Sequence, residues 1–150
     1  MKCPFCQSAE TSVKDSRDTS EGKVIRRRRH CSNCNGRFTT FERIQLRELV
    51  VIKRTGAKRQ FDRAKILKSI TTALRKRNIT DDKIEELTDK IVLELESSSS
   101  REINSRMIGQ LIMKKLAKID PVAYIRFASV YKDFSTAADF AKFIGKLKIR

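Results

Sequence analysis

The chain has 150 residues, enough for one ordinary domain or two small ones. It carries 34 Lys and Arg against 18 Asp and Glu, a net charge of +16, which favours a polyanionic partner, although such charge can also serve solubility alone. No apolar run approaches the length of a membrane span, so we expect no membrane partner.

Four cysteines, the only ones in the chain, form two CxxC pairs near its start. Cys3 and Cys6 make the first pair, and Cys31 and Cys34 make the second. Two such pairs can bring four thiolates to one ion, and Zn²⁺ takes tetrahedral four-sulfur coordination at structural sites. The spacing therefore predicts one structural zinc per chain, with no open coordination position for catalysis.

Two other uses of the cysteines are less favoured. No βαβ pattern surrounds them, as would be expected for a redox CxxC. No signal peptide is recognisable, so we expect a cytoplasmic protein, and disulfides do not persist in a reducing cytosol.

The lone histidine, His30, directly precedes Cys31. Because four sulfurs already fill the tetrahedron, we expect His30 to be a surface residue.

The sequence changes character near residue 45. The first part holds both cysteine pairs and short β-prone stretches, and so small a segment must depend on its metal to fold. The rest predicts a short β-hairpin followed by helices. We expect the α+β class, divided into a zinc ribbon at 1–45, a mostly helical domain at 46–136 and a basic C-terminal helix or tail at 137–150.

The second segment opens with a predicted hairpin, a buried strand at 49–52 and a possible returning strand at 58–61 around the Thr55-Gly56 turn. Helices with apolar stripes follow, and the serine run at 97–100 is typical of an interhelix loop. Their expected N-caps are Asp62, Thr80 or Asp81, Asn104 or Ser105, and Asp120, the last with proline at the first helical position. The inward stripe of the fourth helix is expected to be Val122, Ile125, Ala128 and Tyr131 or nearby residues.

Four consecutive arginines lie between the cysteine pairs, where a zinc ribbon has a strand. Alternate side chains of a strand point to opposite faces, so Arg26 and Arg28 share one side and Arg27 and Arg29 the other. One pair can enter a DNA groove while the other holds phosphate or contacts a neighbouring chain. Arg17, before the run, and Arg37, just after the second cysteine pair, extend the basic patch. The alternative is a solvated charge run or a localisation-type signal.

A second basic cluster surrounds the hairpin turn. It comprises Lys53, Arg54, Lys58 and Arg59, and Lys65 follows in the first turn of the next helix. Cations beside a helix N-terminus suit a triphosphate, although an exposed basic hairpin is the simpler interpretation. No Walker or GxGxxG motif is present, so the usual nucleotide folds are not indicated.

These motifs together resemble the NrdR family of bacterial repressors of ribonucleotide reductase genes. The ribbon matches at the CPFC and CSNC pairs, at Asp15-Ser16-Arg17, at the arginine run after Ile25 and at Arg37-Phe38-Thr39-Thr40. The hairpin from Val51 to Phe61 with Lys65, and the segment 122–131, resemble the ATP-cone, a nucleotide-sensing module. The resemblance covers almost the whole chain.

The resemblance implies a function that charge and spacing do not supply. The ribbon would bind operator boxes in double-stranded DNA, and the ATP-cone would bind ATP and dATP, which would control homo-oligomer size. The implied nucleotide contacts are Val51, Lys53, Arg54, Lys65 and Tyr131. The implied DNA contacts are Arg17, Arg26, Arg27, Arg28, Arg29 and Arg37.

Two other classes of function stay open at the level of sequence. The chain could be a regulatory fragment of a reductase, although its front-end ribbon argues against that. It could also be a zinc-ribbon protein that binds RNA or the ribosome without nucleotide control. No catalytic constellation is apparent, so we expect no enzymatic activity.

Overall fold

The computed structural model describes residues 1–19 and 22–146. The chain forms two compact units, Met1–Gln45 and Leu46–Arg150. The end of the basic tail predicted at 137–150, residues 147–150, lies outside the described residues. The α+β class is confirmed: the first unit contains a small antiparallel sheet, and the second combines a second small sheet with helices.

The first unit is built on three antiparallel strands in the order β1-β2-β3. Strand β1 is Thr11–Thr19, β2 is Val24–Cys31 and β3 is Arg37–Arg43. Val24 is 2% exposed and is among the few buried apolar side chains of this unit. A sheet with so few buried residues cannot be held by hydrophobic burial alone, which makes the cysteine cluster at its end important for stability.

The second unit contains a three-stranded sheet in the order β5-β4-β6. Strand β4 (Val50–Ile52) pairs antiparallel with β5 (Lys58–Gln60) and parallel with β6 (Glu102–Asn104). The β4–β5 connection turns at Gly56, whose φ of +82° favours glycine. The hairpin predicted from sequence is therefore present, but the serine run leads into a strand rather than only into a helix.

Five helices complete the unit: α1 Arg63–Ala73, α2 Asp81–Glu96, α3 Ser105–Ile119, α4 Pro121–Tyr131 and α5 Ala137–Gly145. The side chains of Asp62, Thr80, Asn104 and Asp120 each accept a hydrogen bond from the first turn of the helix that they precede. These residues confirm the predicted helix starts. No helix among the described residues is long and apolar enough to cross a membrane.

One stripe prediction is wrong in part. Val122 of α4 is 37% exposed, whereas Ala123 and Ala128 are fully buried. Tyr124 and Phe127 pack beside them against the core. The helix is apolar on most of its surface, so periodicity alone cannot choose the inward face. The small alanines decide it, because they allow α3 and α1 to approach closely.

Candidate functional site

The two CxxC segments adopt the same backbone geometry. The Cys3 amide donates to the Ser8 carbonyl at 2.8 Å, and the Cys31 amide donates to the Gly36 carbonyl at 2.9 Å. The residue after each second cysteine has a positive φ, 62° at Gln7 and 57° at Asn35. Each segment therefore closes a tight knuckle, and the two knuckles turn their sulfurs towards each other.

The four sulfurs form a cluster that fits a tetrahedral ion. All four Sγ atoms lie within 4.8 Å of one another. Cys3 and Cys34 are 3.6 Å apart at their sulfurs, as are Cys6 and Cys31. A Zn–S bond of about 2.3 Å requires sulfurs about 3.8 Å apart at the corners of a tetrahedron. The cysteines predicted to bind metal are thus brought together with the spacing that zinc needs.

The electrostatics of the cluster also fit a cation. Hydrogen bonds from the Ser8 backbone and then from Asn33 lower the pKa of the Cys6 thiol to about 6. The Gly36 backbone lowers the pKa of Cys34, but the neighbouring cysteines, with Cys6 first, and desolvation raise it to about 12. Four crowded thiolates repel one another, so a divalent cation is what allows all of them to be deprotonated together.

The strand register sorts the arginines of the ribbon onto two faces, because residues directly opposite each other across antiparallel strands point to the same side. Arg26 is opposite Arg17 and Phe41, and Arg28 is opposite Asp15 and Thr39. The register also places Arg37 and Arg43 on this side, opposite His30 and Val24. We call this side the arginine face; it consists of Arg17, Arg26, Arg28, Arg37 and Arg43.

The opposite side of the sheet is neutralised. Arg27 forms an ion pair with Glu42 at 2.5 Å, and Arg29 donates to the Thr40 hydroxyl at 3.2 Å. Asp18 also lies on this side, opposite Ile25. The predicted alternation of the four arginines is confirmed as a matter of geometry. Arg27 and Arg29 are thereby held by the protein itself and separated from the arginine face.

Arg43 belongs to the arginine face, but it was not among the DNA contacts predicted from the sequence. Its guanidinium lies over the Phe41 ring at 4.4 Å from the centroid, which holds the cation on the arginine face. It comes after the arginine run and after the second knuckle, and only the β2–β3 pairing brings it beside Arg26. A strand prediction for 37–43 with its register would have been needed to find it.

In the second unit, two adjacent cavities lie beside the hairpin and share Lys53, Ser105 and Tyr131 in their walls. We call the larger cavity, of about 870 Å³, the outer cavity, and the smaller one, of about 220 Å³, the inner cavity. Ligand pockets usually measure about 300–1,000 Å³. The outer cavity falls in that range, and the inner one is suited to part of a ligand.

The outer cavity is basic. Arg54, Arg106 and Lys132 contribute to its lining, together with polar Thr55 and Gln110. Arg54 is paired with Asp133 only at 3.7 Å, and both side chains are more than two-thirds exposed, so this pair is weak. The N-terminus of α3 borders the cavity and adds the positive end of a helix dipole. Such a surface attracts phosphate groups.

The inner cavity is mainly apolar. Its lining includes Val51, Ile66, Ile108, Ile112 and Phe127. Three cations, Lys53, Arg59 and Lys65, also line it. The Lys65 ammonium, in the first turn of α1, lies 4.0 Å from the Asp62 carboxylate. An apolar chamber joined to a basic one matches a ligand with a flat apolar part and an anionic part.

All five predicted nucleotide contacts line these two cavities. Val51 and Lys65 line the inner one, Arg54 lines the outer one, and Lys53 and Tyr131 line both. The sequence did not indicate the residues from α3 and from the end of α4. They are Ser105, Arg106, Gln110 and Lys132. The predicted N-cap at Asn104 was a usable signal, because a basic first turn after an N-cap forms an anion-attracting helix end.

Two known protein families match the chain, one on each side of the boundary between its two structural units. Residues 1–42 match the family described as the N-terminal domain of NrdR-like transcriptional repressors. Residues 49–137 match the ATP cone domain.

Several relatives match the chain over nearly its whole length. A protein of Bartonella bacilliformis named "Transcriptional repressor NrdR" is 56% identical over 98% of this chain and 92% of its own length. Proteins of the same name from Mesorhizobium japonicum and Phenylobacterium zucineum are each 53% identical, over 99% and 97% of this chain and 93% and 94% of their own lengths. The chain belongs to the NrdR family of transcriptional repressors. NrdR members have a regulatory rather than an enzymatic role, and DNA is their partner.

In an NrdR protein, the cysteine cluster and the two cavities have different roles. The cysteine cluster is the structural zinc site of the ribbon, held by Cys3, Cys6, Cys31 and Cys34. The zinc would supply a fixed tetrahedral crosslink between the knuckles and no reaction chemistry. The ATP-cone match assigns nucleotide binding to the unit that contains the two cavities.

Proposed function

We propose that this chain represses ribonucleotide reductase genes by binding operator boxes upstream of them, and that ATP and dATP control its oligomeric state and its affinity for DNA. The observation that carries the proposal is the presence, in one chain, of an arginine face on a zinc ribbon and of a basic cavity joined to an apolar one in an ATP-cone. One surface meets a DNA polyanion, and the other receives a nucleotide.

The functional division follows the one expected from sequence: DNA binding in 1–45, nucleotide binding in 46–136 and a basic helix or tail in 137–150. The arginine face supplies groove and phosphate contacts through Arg17, Arg26, Arg28 and Arg37. Phosphates of the nucleotide lie against Lys53, Arg54 and Lys65, with Val51 and Tyr131 beside the base or sugar. The protein acts in the bacterial cytoplasm, on the nucleoid when it represses.

The nucleotide signal must be amplified to be useful. ATP and dATP differ by one hydroxyl group, and a hydrogen bond contributes only about 0.5–1.5 kcal/mol. Coupling to assembly multiplies this difference, because every subunit of a symmetric oligomer repeats it. We propose that a dATP-containing form presents its ribbons at the spacing that the operator requires and binds DNA better than the form containing ATP alone.

The test measures size and DNA binding together. Native mass spectrometry and light scattering would follow the oligomer in apo, ATP and dATP samples, while the same samples are titrated with a reductase-operon operator duplex. A scrambled duplex and an RNA duplex serve as matched competitors at physiological salt. A nucleotide-dependent size with preference for the operator supports the proposal. Unchanged size contradicts the switch, and equal affinity for all three nucleic acids favours a general zinc-ribbon RNA or DNA binder.

A further inference from the structure

Gly109 lies in the second turn of α3, is buried, and forms part of the wall of the inner cavity. A Cβ built at this position would lie less than 3.0 Å from three ring atoms of Tyr131, closer than Cβ atoms in proteins come to other heavy atoms. Glycine inside a helix lowers its stability by about 1 kcal/mol relative to alanine. At this position, that loss accompanies the close approach of the Tyr131 ring.

Tyr131, the last residue of α4, is held by two contacts in addition to Gly109, one with α3 and one within its own helix. Its hydroxyl donates to the Arg106 carbonyl at 2.6 Å. Its ring stacks on Phe127, with centroids 5.7 Å apart and planes 23° apart. The ring therefore lies between the backbone of α3 and the face of Phe127, and it joins the end of α4 to the first turns of α3.

The position of this ring determines the shape of both cavities, because Tyr131 lines the outer and the inner one. The ring is only half-buried, so a side chain at position 109 would displace it towards the cavities or the solvent rather than unfold the core. A displaced ring would change the wall between the chambers without removing any of the cations around them.

We propose that Gly109 is a positioning residue for nucleotide binding: by having no side chain, it lets the Tyr131 ring form the wall shared by the two cavities. This inference rests on the nucleotide-binding function proposed above. It assigns to Gly109 no contact with phosphate, and its effect on a ligand acts through Tyr131.

The experiment compares ATP and dATP affinities by isothermal titration calorimetry in full-length variants loaded with zinc. Gly109→Ala should weaken binding about tenfold or more, since overpacking a well-filled site displaces its neighbours. Its melting temperature should change little, because the higher helix propensity of alanine offsets the lost ring contact. Gly145→Ala is the matched control, since among the described residues a Cβ at that helical glycine would meet no heavy atom within 4 Å other than its chain neighbours and its own helix backbone. It should bind like the wild type.

A double-mutant cycle separates positioning from a general packing effect. Tyr131→Ala removes the ring without a clash and should weaken binding by a similar factor. Adding Gly109→Ala to Tyr131→Ala should then cause no further loss. The inference is overturned by wild-type affinity in Gly109→Ala, by a full additional loss in the Tyr131→Ala background, by an equal loss in Gly145→Ala, or by failure of Gly109→Ala to fold. A wild-type chain that binds neither nucleotide instead overturns the proposed function from which the inference starts.

Discussion

The Arg27 guanidinium donates to the Glu42 carboxylate, with Nη1 2.5 Å from Oε2, on the side of the ribbon sheet opposite Arg28. Arg28 is exposed on the arginine face, and its neighbours there include Arg26 and Arg37. Two adjacent arginines in the sequence therefore have different electrostatic environments. Arg27 is compensated by Glu42. Arg28 lies opposite Asp15, whose carboxylate is 3.0 Å from the Arg17 guanidinium, and it adds to the five arginines of the arginine face, a positive charge that DNA phosphates would offset.

Arg28→Ala should therefore weaken operator binding more than Arg27→Ala. If Arg28 reads a base, its loss should also relax sequence preference by about 1–3 kcal/mol; if it contacts only phosphate, affinity should fall for all duplexes and the salt slope should become shallower by about 1. Fluorescence anisotropy with operator and scrambled duplexes over a range of salt concentrations distinguishes these outcomes.

Glu42→Gln is the informative companion to that pair. It frees Arg27 without removing any cation, so nonspecific DNA affinity should rise or stay constant rather than fall. Equal losses in Arg27→Ala and Arg28→Ala would contradict the division of the ribbon into an arginine face and a neutralised face.

Zinc binding should be the source of the ribbon's stability. Cys31→Ser removes one of two buried ligands, so it should abolish zinc binding and unfold the ribbon, because metal affinity of about 10–16 kcal/mol is its folding free energy. DNA binding should be lost, while ATP binding and the helical circular dichroism of the second unit persist. Zinc content by mass spectrometry, expected to be one ion per wild-type chain, provides the measurement.

His30→Ala is the matched control for that experiment. It changes the residue directly before Cys31 but leaves all four sulfurs in place, so zinc content should stay at one per chain. A Cys31→Ser protein that still binds its operator tightly would show that the ribbon does not need the metal.

Local sequence signals were sufficient for much of this architecture. Helix starts follow from single side chains such as Asp62 and Asp120, which cap their own helices. The metal cluster follows from cysteine spacing, since each knuckle is a local structure. The parity of the arginine run follows from the two-residue period of a strand.

The features that the sequence did not reveal depend on distant pairing. Strand β6 has only one apolar residue, Ile103, and it exists because it pairs in parallel with β4, half a domain away in sequence. Arg43 joins the arginine face only through its pairing with Val24. Arg106 and Lys132 meet at the outer cavity through the packing of α3 against α4. Each of these relationships joins segments that are distant in sequence. The Asn104 N-cap signals the basic first turn of α3, but no local pattern shows which residues it meets.

The Asp120–Arg77 ion pair should make the second unit sensitive to acid. Asp120 is 8% exposed, and its carboxylate accepts from the Ala123 amide at 2.8 Å and from Arg77 Nε at 2.8 Å. Burial raises the pKa of Asp120, but the Ala123 amide and Arg77 more than compensate, so the pKa is held below its ordinary value. A lowered pKa stabilises the fold above the unfolded-state value and loses that effect as the pH falls through the folded-state value.

Asp120→Asn keeps a helix-capping oxygen but removes the charge that faces Arg77. It should lower the free energy of unfolding by about 1–3 kcal/mol at pH 7, and the difference from wild type should shrink below about pH 4. Urea unfolding followed by circular dichroism at several pH values measures this. Glu86→Gln, which breaks a surface pair with Lys90, should cost about 0.5 kcal/mol or less. A difference that is constant with pH would rule out the charge as the cause.

Lys53 is the cation common to both cavities, and it lies beside the hairpin turn, where its amide donates to the Ala57 carbonyl at 2.9 Å. Lys53→Ala should weaken ATP and dATP binding about tenfold or more, because hydrogen bonds to charged groups contribute about 1.5–3 kcal/mol. The nucleotide-dependent change in oligomer size should disappear together with binding, while zinc content stays at one.

Lys68 is an exposed cation on α1 outside both cavities, so Lys68→Ala is the control and should preserve both the affinity and the size change. Calorimetry and light scattering on the same samples decide the matter: if Lys53→Ala binds nucleotide normally, the phosphates do not lie at the hairpin, and if it loses binding but keeps the size change, nucleotide does not drive assembly through these cavities.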